Sequence, residues 1–325
     1  MIKNVCVVGY GAIGPVHADS LSKTDSAKFY AVCDINLEKI KLCLEKYEVI
    51  TYTDFDEMLK DRNIHAVHIC TPHHLHFEMT KKALDAGKEV VLEKPATRTK
   101  EEFSALLNLK SAEKIKFVFQ NRFNPCIQKF KEITENKKYG AIVGAKAFLT
   151  WARDINYYNS DEWRGKWDTE GGGVLINQAV HTLDYFNYVT GGIKSVKASM
   201  SNFSIDGIEV EDTVSAYLNL NCGASGVFFA TNAYKTNSSP EFEIIFENGV
   251  VKYSEGALFE NGKVTEEDSK AFNKKNYWGI GHTALIKNIY DNGITFGLKD
   301  IENTMNTVFA IYESAKNNLE ISTGE

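Results

Sequence analysis

Lys3-Asn4-Val5-Cys6-Val7-Val8-Gly9-Tyr10-Gly11-Ala12-Ile13-Gly14 is a short apolar strand running straight into a glycine turn that opens a helix. Each glycine has its own task in such a turn. Gly9 permits the bend, Gly11 lets backbone approach a pyrophosphate, and Gly14 allows helix and strand to pack closely. The turn amides, Ala12 and Ile13 among them, and the helix N-terminus face the phosphates. Asp34 follows Gly14 by 20 residues, at the end of a second strand-like run, where a carboxylate accepts hydrogen bonds from the adenosine ribose. Three glycines alone are a weak signal; strand, spacing and acid together specify a dinucleotide site. The competing reading makes Asp34 only a cap for a helix beginning near Asn36. A carboxylate at 34 repels a 2′-phosphate and no arginine adjoins it, so NAD is expected rather than NADP.

Outward from this turn, apolar runs at 3–8, 28–33, 66–70, 88–92 and 116–120 alternate with amphipathic helical stretches such as 36–46 and 77–86. That alternation predicts a parallel sheet with crossover helices, a Rossmann-type array. After Asn121 the texture changes. A helix near 125–136 leads to a strand at 142–151, a loop rich in aromatic and charged residues, and a helix over 173–190. Runs at 194–204, 213–220, 224–233, 241–247 and 249–253 alternate apolar and polar residues, as an antiparallel sheet with one covered face would. Helices near 281–291 and 299–318 close the chain. The expected class is α/β, with an NAD-binding Rossmann domain over 1–120 and an α+β domain for substrate and oligomerisation over 121–325.

The chain has 325 residues, more than one core usually organises. With 43% hydrophobic and 25% charged residues, neither a disordered nor a fibrous class is indicated. A formal net charge of -6 and the lack of a basic stripe exclude nucleic acid as a natural partner. The longest apolar runs fall far short of the roughly 18 residues of a membrane span, and no secretory signal precedes the glycine turn, so a cytoplasmic protein is expected. Six cysteines, at 6, 33, 43, 70, 126 and 222, show no Cys-x-x-Cys spacing, so neither zinc nor a disulfide framework is expected.

Cys70-Thr71-Pro72 ends the fourth strand, with His76 four residues on, and Glu93-Lys94-Pro95 ends the fifth. The carboxyl ends of such strands face the ligand crevice. Pro95 keeps Lys94 out of the helical region and admits a cis bond, fixing the lysine at a bend. Beside a cationic nicotinamide ring its pKa falls, which suits proton transfer; the plain alternative is a solvent-facing lysine. In the second half, Asn177, His181, Asp184 and Tyr188 recur at helical spacing on one side. His181 is the candidate proton carrier, against the alternative of a satisfied interior histidine, and Asp184 is expected to orient a neighbour. Arg153, Tyr157, Tyr158, Trp163 and Arg164 form the candidate substrate loop: aromatic faces suit sugar or uracil rings and arginines suit carboxylate or diphosphate. The histidines at 73, 74 and 76 lack a carboxylate or cysteine partner in sequence, and no metal is expected.

Taken together these residues resemble the Gfo/Idh/MocA family of NAD(P)-dependent oxidoreductases. The resemblance runs along essentially the whole chain. It is carried by the glycine turn with His17, Thr71-Pro72 with His76, Ala86-Gly87-Lys88 before Glu93-Lys94-Pro95, and Gln120-Asn121-Arg122-Phe123-Asn124-Pro125. Trp163-Arg164-Gly165, Gly171-Gly172-Gly173-Val174-Leu175 and His181 to Asp184 complete it. It implies a Rossmann domain followed by a large mixed, mostly antiparallel sheet often used for dimer or tetramer contacts. It also implies Lys94 as the catalytic lysine, with Thr71, Pro72, His76, Glu93, Asn121, Arg122, Trp163 and Arg164 lining the cofactor cleft. Many free-sugar and inositol dehydrogenases of the family carry aspartate where this chain has Asn177. Asparagine cannot act as a base, so a proton role falls to His181 and Lys94. The chain is most similar to the branch containing UDP-N-acetylglucosaminuronate 3-dehydrogenases.

The expected activity is hydride transfer between a sugar or nucleotide-sugar alcohol and NAD. The alternative is a glycoside hydrolase of the same family that retains NAD and releases a leaving group without net redox. An NAD-binding regulator without chemistry is disfavoured by the joint presence of Lys94 and His181.

Overall fold

The computed structural model describes residues 2–268, 281–294 and 296–324. The chain divides into two compact units: residues 1–97, 101–120 and 281–300 form the first, and 98–100, 121–280 and 301–325 the second.

The first unit is built on six strands: β1 (Lys3–Val8), β2 (Ala27–Cys33), β3 (Ile50–Tyr52), β4 (Ala66–Ile69), β5 (Glu89–Leu92) and β6 (Ile115–Phe117). They form one sheet in the order β3-β2-β1-β4-β5-β6, and its pairings are all parallel. The order reverses direction at β1, placing the ligand crevice at its carboxyl end. Helices α1 (Gly14–Leu21), α2 (Leu37–Leu44), α3 (Phe55–Leu59), α4 (His76–Asp85) and α5 (Lys100–Leu107) supply the crossovers. Val5, Val7, Ala66, Val67, Val90 and Leu92 are at most 0% exposed, as strands covered on both faces require. The edge strand β3 was not predicted; its three residues are largely exposed and carry no buried alternation to read. The run at 116–120 is a strand only to Phe117, after which Gln120–Phe123 makes a 3₁₀ turn.

In the second unit, α6 (Pro125–Glu135) precedes β7 (Ile142–Thr150), and two short helices, α7 (Ile155–Tyr158) and α8 (Trp167–Glu170), sit in the loop beyond it. The predicted helix over 173–190 is two elements. Leu175–Ala179 is a π-helical turn, and the α-helix proper, α9, runs from Val180 to Thr190. Strands β8 (Ile193–Ser201), β9 (Thr213–Leu220), β10 (Ser225–Thr231), β11 (Glu241–Phe246), β12 (Gly249–Ser254), β13 (Ala257–Glu260), β14 (Lys263–Glu267) and β15 (Ile321–Ser322) complete a nine-stranded sheet with β7. Among the described residues only β7 and β10 pair in parallel in this sheet, so it is mixed and mostly antiparallel. One face is covered by α6 and α9 through a stack of Phe130 on Phe242, 4.9 Å between centroids, with Tyr185 tilted against the same ring. Tyr217, Val227 and Ile245 are exposed on these strands.

The two closing helices are α10 (Gly281–Tyr290) and α11 (Leu298–Asn317). Residues 281–300, expected in the second domain, belong to the first unit. The physical reason is local to it: Thr283 bonds Ser20 on α1, and Asp291 accepts the backbone N–H groups of Asp25 and Ser26.

Candidate active site

In the first unit the glycine turn has the shape of a phosphate cradle. A methyl group on Gly9 would sit 2.7 Å from the Cys70 carbonyl oxygen, and one on Gly14 would sit 2.3 Å from that of Gly9. Both positions are closed by the protein's own backbone. At Gly11 the nearest atom is Lys39 Nζ at 3.8 Å, so this glycine faces open space where only a ligand would need its small size. No side chain caps α1, leaving its first-turn amides for an anion. Asp34 accepts from Tyr10 N at 2.7 Å and Asn36 N at 2.8 Å, linking the glycine turn to the turn after β2. The cap of α2 is Asn36, which accepts from Glu38 N, so the capping role considered for Asp34 belongs to its neighbour. These residues fit a dinucleotide.

At the exits of β4 and β5 the backbone is tied down around Lys94. The fully buried His76 brings its two ring nitrogens to Pro95 O at 2.7 Å and Thr71 O at 2.9 Å, joining the ends of the two strands. Burial pushes its pKa down. The Lys94–Pro95 bond is cis. Glu93 is 5% exposed and accepts the Lys94 backbone N–H at 3.0 Å. Among the described residues, His17, Glu93 and His282 each bring one ligand atom to within 4.8 Å of the others, a grouping that the sequence, which drew attention to 73–76, did not reveal.

The second unit holds the remaining candidates. Arg122 donates from Nε and Nη2 to Asp184, at 2.8 and 2.5 Å, and its guanidinium lies 4.7 Å from the Tyr188 ring. Thr304 also donates to Asp184. Asp184 is thus the orienting partner of Arg122. Burial raises its carboxyl above the ordinary range even against the guanidinium. The buried Oδ1 of Asn121 has no hydrogen-bond partner, an acceptor that a ligand donor would satisfy. His181 is the second residue of α9 and is partly exposed.

The candidate substrate loop is more internally bonded than its composition indicates. The guanidiniums of Arg164 and Arg153 lie 4.5 and 5.1 Å from the centre of the Tyr157 ring, so the ring already has cation partners. Its hydroxyl accepts from Arg164 Nη1 at 2.5 Å and Gln178 Nε2 at 2.7 Å. Arg164 also stacks on Trp163 and bonds Asp161, and Arg153 donates to Asn237. Tyr158 is a core residue, packed with Ile205 and Val210, whose hydroxyl accepts from Asn232.

Two carboxylates in this unit were not singled out from sequence. Glu170 is fully buried and accepts from Asn177 Nδ2 at 2.5 Å and Gly165 N at 2.6 Å. Glu211 accepts from Gly173 N, Leu175 N and the Tyr312 hydroxyl, holding the entry to the π-helical turn, and burial pushes its pKa up to about 7. Glu170 explains Asn177. An aspartate there would set two carboxylates against each other, whereas the amide donates.

Residues 3–120 match the model of an oxidoreductase family with an NAD-binding Rossmann fold, and residues 127–252 match the Gfo/Idh/MocA C-terminal domain. The chain belongs to the Gfo/Idh/MocA family. The matching family model makes the first unit an NAD-binding Rossmann domain. This Gfo/Idh/MocA chain is similar to the WlbA dehydrogenase from Bordetella pertussis, solved in complex with NADH and UDP-GlcNAcA. That match has 26% identity and a TM-score of 0.88, and covers 99% of this chain and 97% of that one. The WlbA dehydrogenase from Chromobacterium violaceum, with the same ligands, matches at 26% identity, TM-score 0.87, over 99% and 96% of the two chains. The levoglucosan dehydrogenase of Pseudarthrobacter phenanthrenivorans is 27% identical over 289 residues, 77% of this chain and 73% of that protein. Some curated relatives align over only about half their length, among them the oxidoreductase YrbE of Bacillus subtilis at 53% and the myo-inositol 2-dehydrogenase of Thermotoga maritima at 54%. No described helix is long and apolar enough to cross a membrane.

Proposed function

We propose that this protein is an NAD-dependent dehydrogenase that transfers hydride between a secondary alcohol of a sugar or nucleotide-sugar and NAD. The observation that carries it is the arrangement at the strand exits of the first unit: an open cradle at Gly11, Asp34 facing the same turn, and Lys94 held at a bend between Glu93 and Pro95. NAD held there would supply the hydride acceptor or donor for the alcohol carbon. Gly9 to Gly14 would hold its pyrophosphate and Asp34 its adenosine ribose. Lys94 and His181 handle the alcohol proton: His181 takes it as the general base, and Lys94 donates a hydrogen bond to the same oxygen as it becomes a carbonyl.

The near full-length likeness to the two WlbA dehydrogenases solved with UDP-GlcNAcA favours a nucleotide-linked uronic or amino sugar over free inositol. Asn177 supports the same choice, since Glu170 holds it as a donor and it cannot serve as a base.

The test is NADH formation from a panel of UDP-sugars, free sugars and inositol, with Lys94→Ala and His181→Asn as controls. Each variant is expected to bind NAD normally and lose about 10²-fold or more in turnover. Turnover that survives in both variants, or inositol outperforming every UDP-sugar, would refute the corresponding part of the proposal. Leaving-group release without net NADH would indicate the hydrolytic alternative.

A further inference from the structure

A buried row of polar side chains within the first unit ends at Glu93, the residue before Lys94. The Tyr290 hydroxyl lies 2.9 Å from His68 Nε2, His68 Nδ1 lies 2.8 Å from His17 Nδ1, and His17 Nε2 lies 3.0 Å from Glu93 Oε1. His282 Nε2 approaches the same carboxylate oxygen at 3.5 Å. His17 and His68 are fully buried, and Glu93 and His282 nearly so.

The chemistry of these atoms gives the row a direction. A carboxylate only accepts, so His17 Nε2 carries the hydrogen. In a neutral His17 ring, Nδ1 then accepts and His68 Nδ1 donates, which leaves His68 Nε2 to accept from the Tyr290 hydroxyl. Every atom has one role and no ring needs a second proton. Burial pushes His68 well below its ordinary pKa and Tyr290 well above, keeping both in the neutral forms that this order uses.

At the end of the row the Glu93 carboxyl is held well below the usual range. Burial opposes its charge, but the hydrogen bonds from His17 and His282 outweigh that. The other titratable groups around it are Cys70, pushed up by burial, and His76 and His282, pushed down by burial. The second Glu93 oxygen accepts the Lys94 N–H, while His76 binds Pro95 O on the far side of Lys94.

We propose that Glu93, oriented by the Tyr290–His68–His17 row and by His282, is a positioning residue that fixes the backbone of Lys94 and sets a carboxylate charge beside it. The proposal rests on Lys94 as a proton-handling group, yet its test needs no substrate. Reductive ¹³C-methylation labels the lysines of the NAD-bound protein, and the resonance absent from Lys94→Ala belongs to Lys94. In Glu93→Gln its titration midpoint is expected to fall by about one pH unit or more, because a neighbouring carboxylate favours the ammonium form. His17→Leu is expected to shift it in the same direction, and His17→Gln, which keeps an N–H donor, to restore most of the wild-type value. NAD affinity is expected to stay within about threefold in the two His17 variants.

Lower melting temperatures with an unmoved Lys94 midpoint would reduce Glu93 and His17 to structural groups and overturn the proposal. So would stoichiometric zinc in the wild type that is lost in His17→Gln, since the three clustered ligand atoms would then form a metal centre. Full turnover in Lys94→Ala, by contrast, would remove Lys94 from the reaction without touching the positioning result.

Discussion

The glycine turn offers a paired perturbation in which two alanines three residues apart in the same loop have opposite consequences. Gly14→Ala would drive a methyl group to 2.3 Å from the Gly9 carbonyl oxygen, about 1 Å inside normal contact, with backbone on both sides. Neither the β1 exit nor the start of α1 can yield cheaply, since the first is in the sheet and the second is followed by a proline. Overpacking of that kind costs about 1–3 kcal/mol, and alanine's better helix propensity returns less than about 1 kcal/mol at a first-turn position. Gly11→Ala meets nothing closer than Lys39 Nζ at 3.8 Å, so its stability should stay within about 0.5 kcal/mol of wild type. That methyl group instead occupies space the pyrophosphate needs. The dissociation constant for NAD should rise at least about tenfold, or about 1.4 kcal/mol. Urea unfolding of the ligand-free proteins gives the first quantity and calorimetric titration with NAD the second. A Gly11→Ala protein that binds NAD as tightly as wild type would show that the open side of the turn does not face the phosphates. An undiminished unfolding free energy in Gly14→Ala would refute the close contact.

Other outcomes follow from single groups. NAD should bind at least about tenfold more tightly than NADP, and Asp34→Ser should narrow the gap, because the carboxylate that faces the glycine turn repels a 2′-phosphate; equal affinities in the wild type would remove Asp34 from cofactor selection. Glu211 has a folded pKa near 7, above its ordinary 4.5, so the native state holds the proton more tightly and stability should fall as pH rises from about 4.5 to 7, by up to roughly 3 kcal/mol. Comparison of unfolding free energies with Glu211→Gln across that range checks it, a parallel pH dependence in both proteins being the contrary result. Asn177→Asp should leave two buried carboxyl groups sharing one proton with Glu170, so its stability deficit should grow as pH rises and shrink toward pH 5; a deficit that is flat with pH would mean the two groups do not meet.

Much of the first unit was legible because its residues answer to local chemistry. A strand covered on both faces must be apolar throughout, and β1, β4 and β5 read that way. The glycines and Asp34 stand at fixed offsets from β1 and β2, so spacing alone brings them together. Elements with no such requirement were not seen. The edge strand β3 is three residues long and mostly exposed, and β15 has two residues, neither of them buried. The π-helical turn at Leu175–Ala179 escaped because an extra residue in a turn leaves the apolar periodicity nearly unchanged, while it alters which side chains share a face. The return of residues 281–300 to the first unit escaped for another reason: the contacts that cause it, from Thr283 to Ser20 and from Asp291 to Asp25, link residues 263 and 266 apart.

The site shows the same division between residue type and partner. Lys94 and His181 became candidates through their position and the family resemblance, since a lysine taken alone reads as solvent-facing and a lone histidine as a satisfied interior residue. Glu93 was read as one more residue lining the cofactor cleft, since nothing near it in sequence announces His17, which lies 76 residues earlier, or His68 and Tyr290 beyond that. Asn177 is the sharpest case. Its sequence position marks a departure from aspartate, and the departure alone reads as a missing base. The buried carboxylate of Glu170 gives it a second reading: Gly165 N donates to one oxygen and the amide at 177 donates to the other, which an ionised aspartate there could not do. The polarity at that position therefore answers to its neighbour on α8 before any substrate is considered.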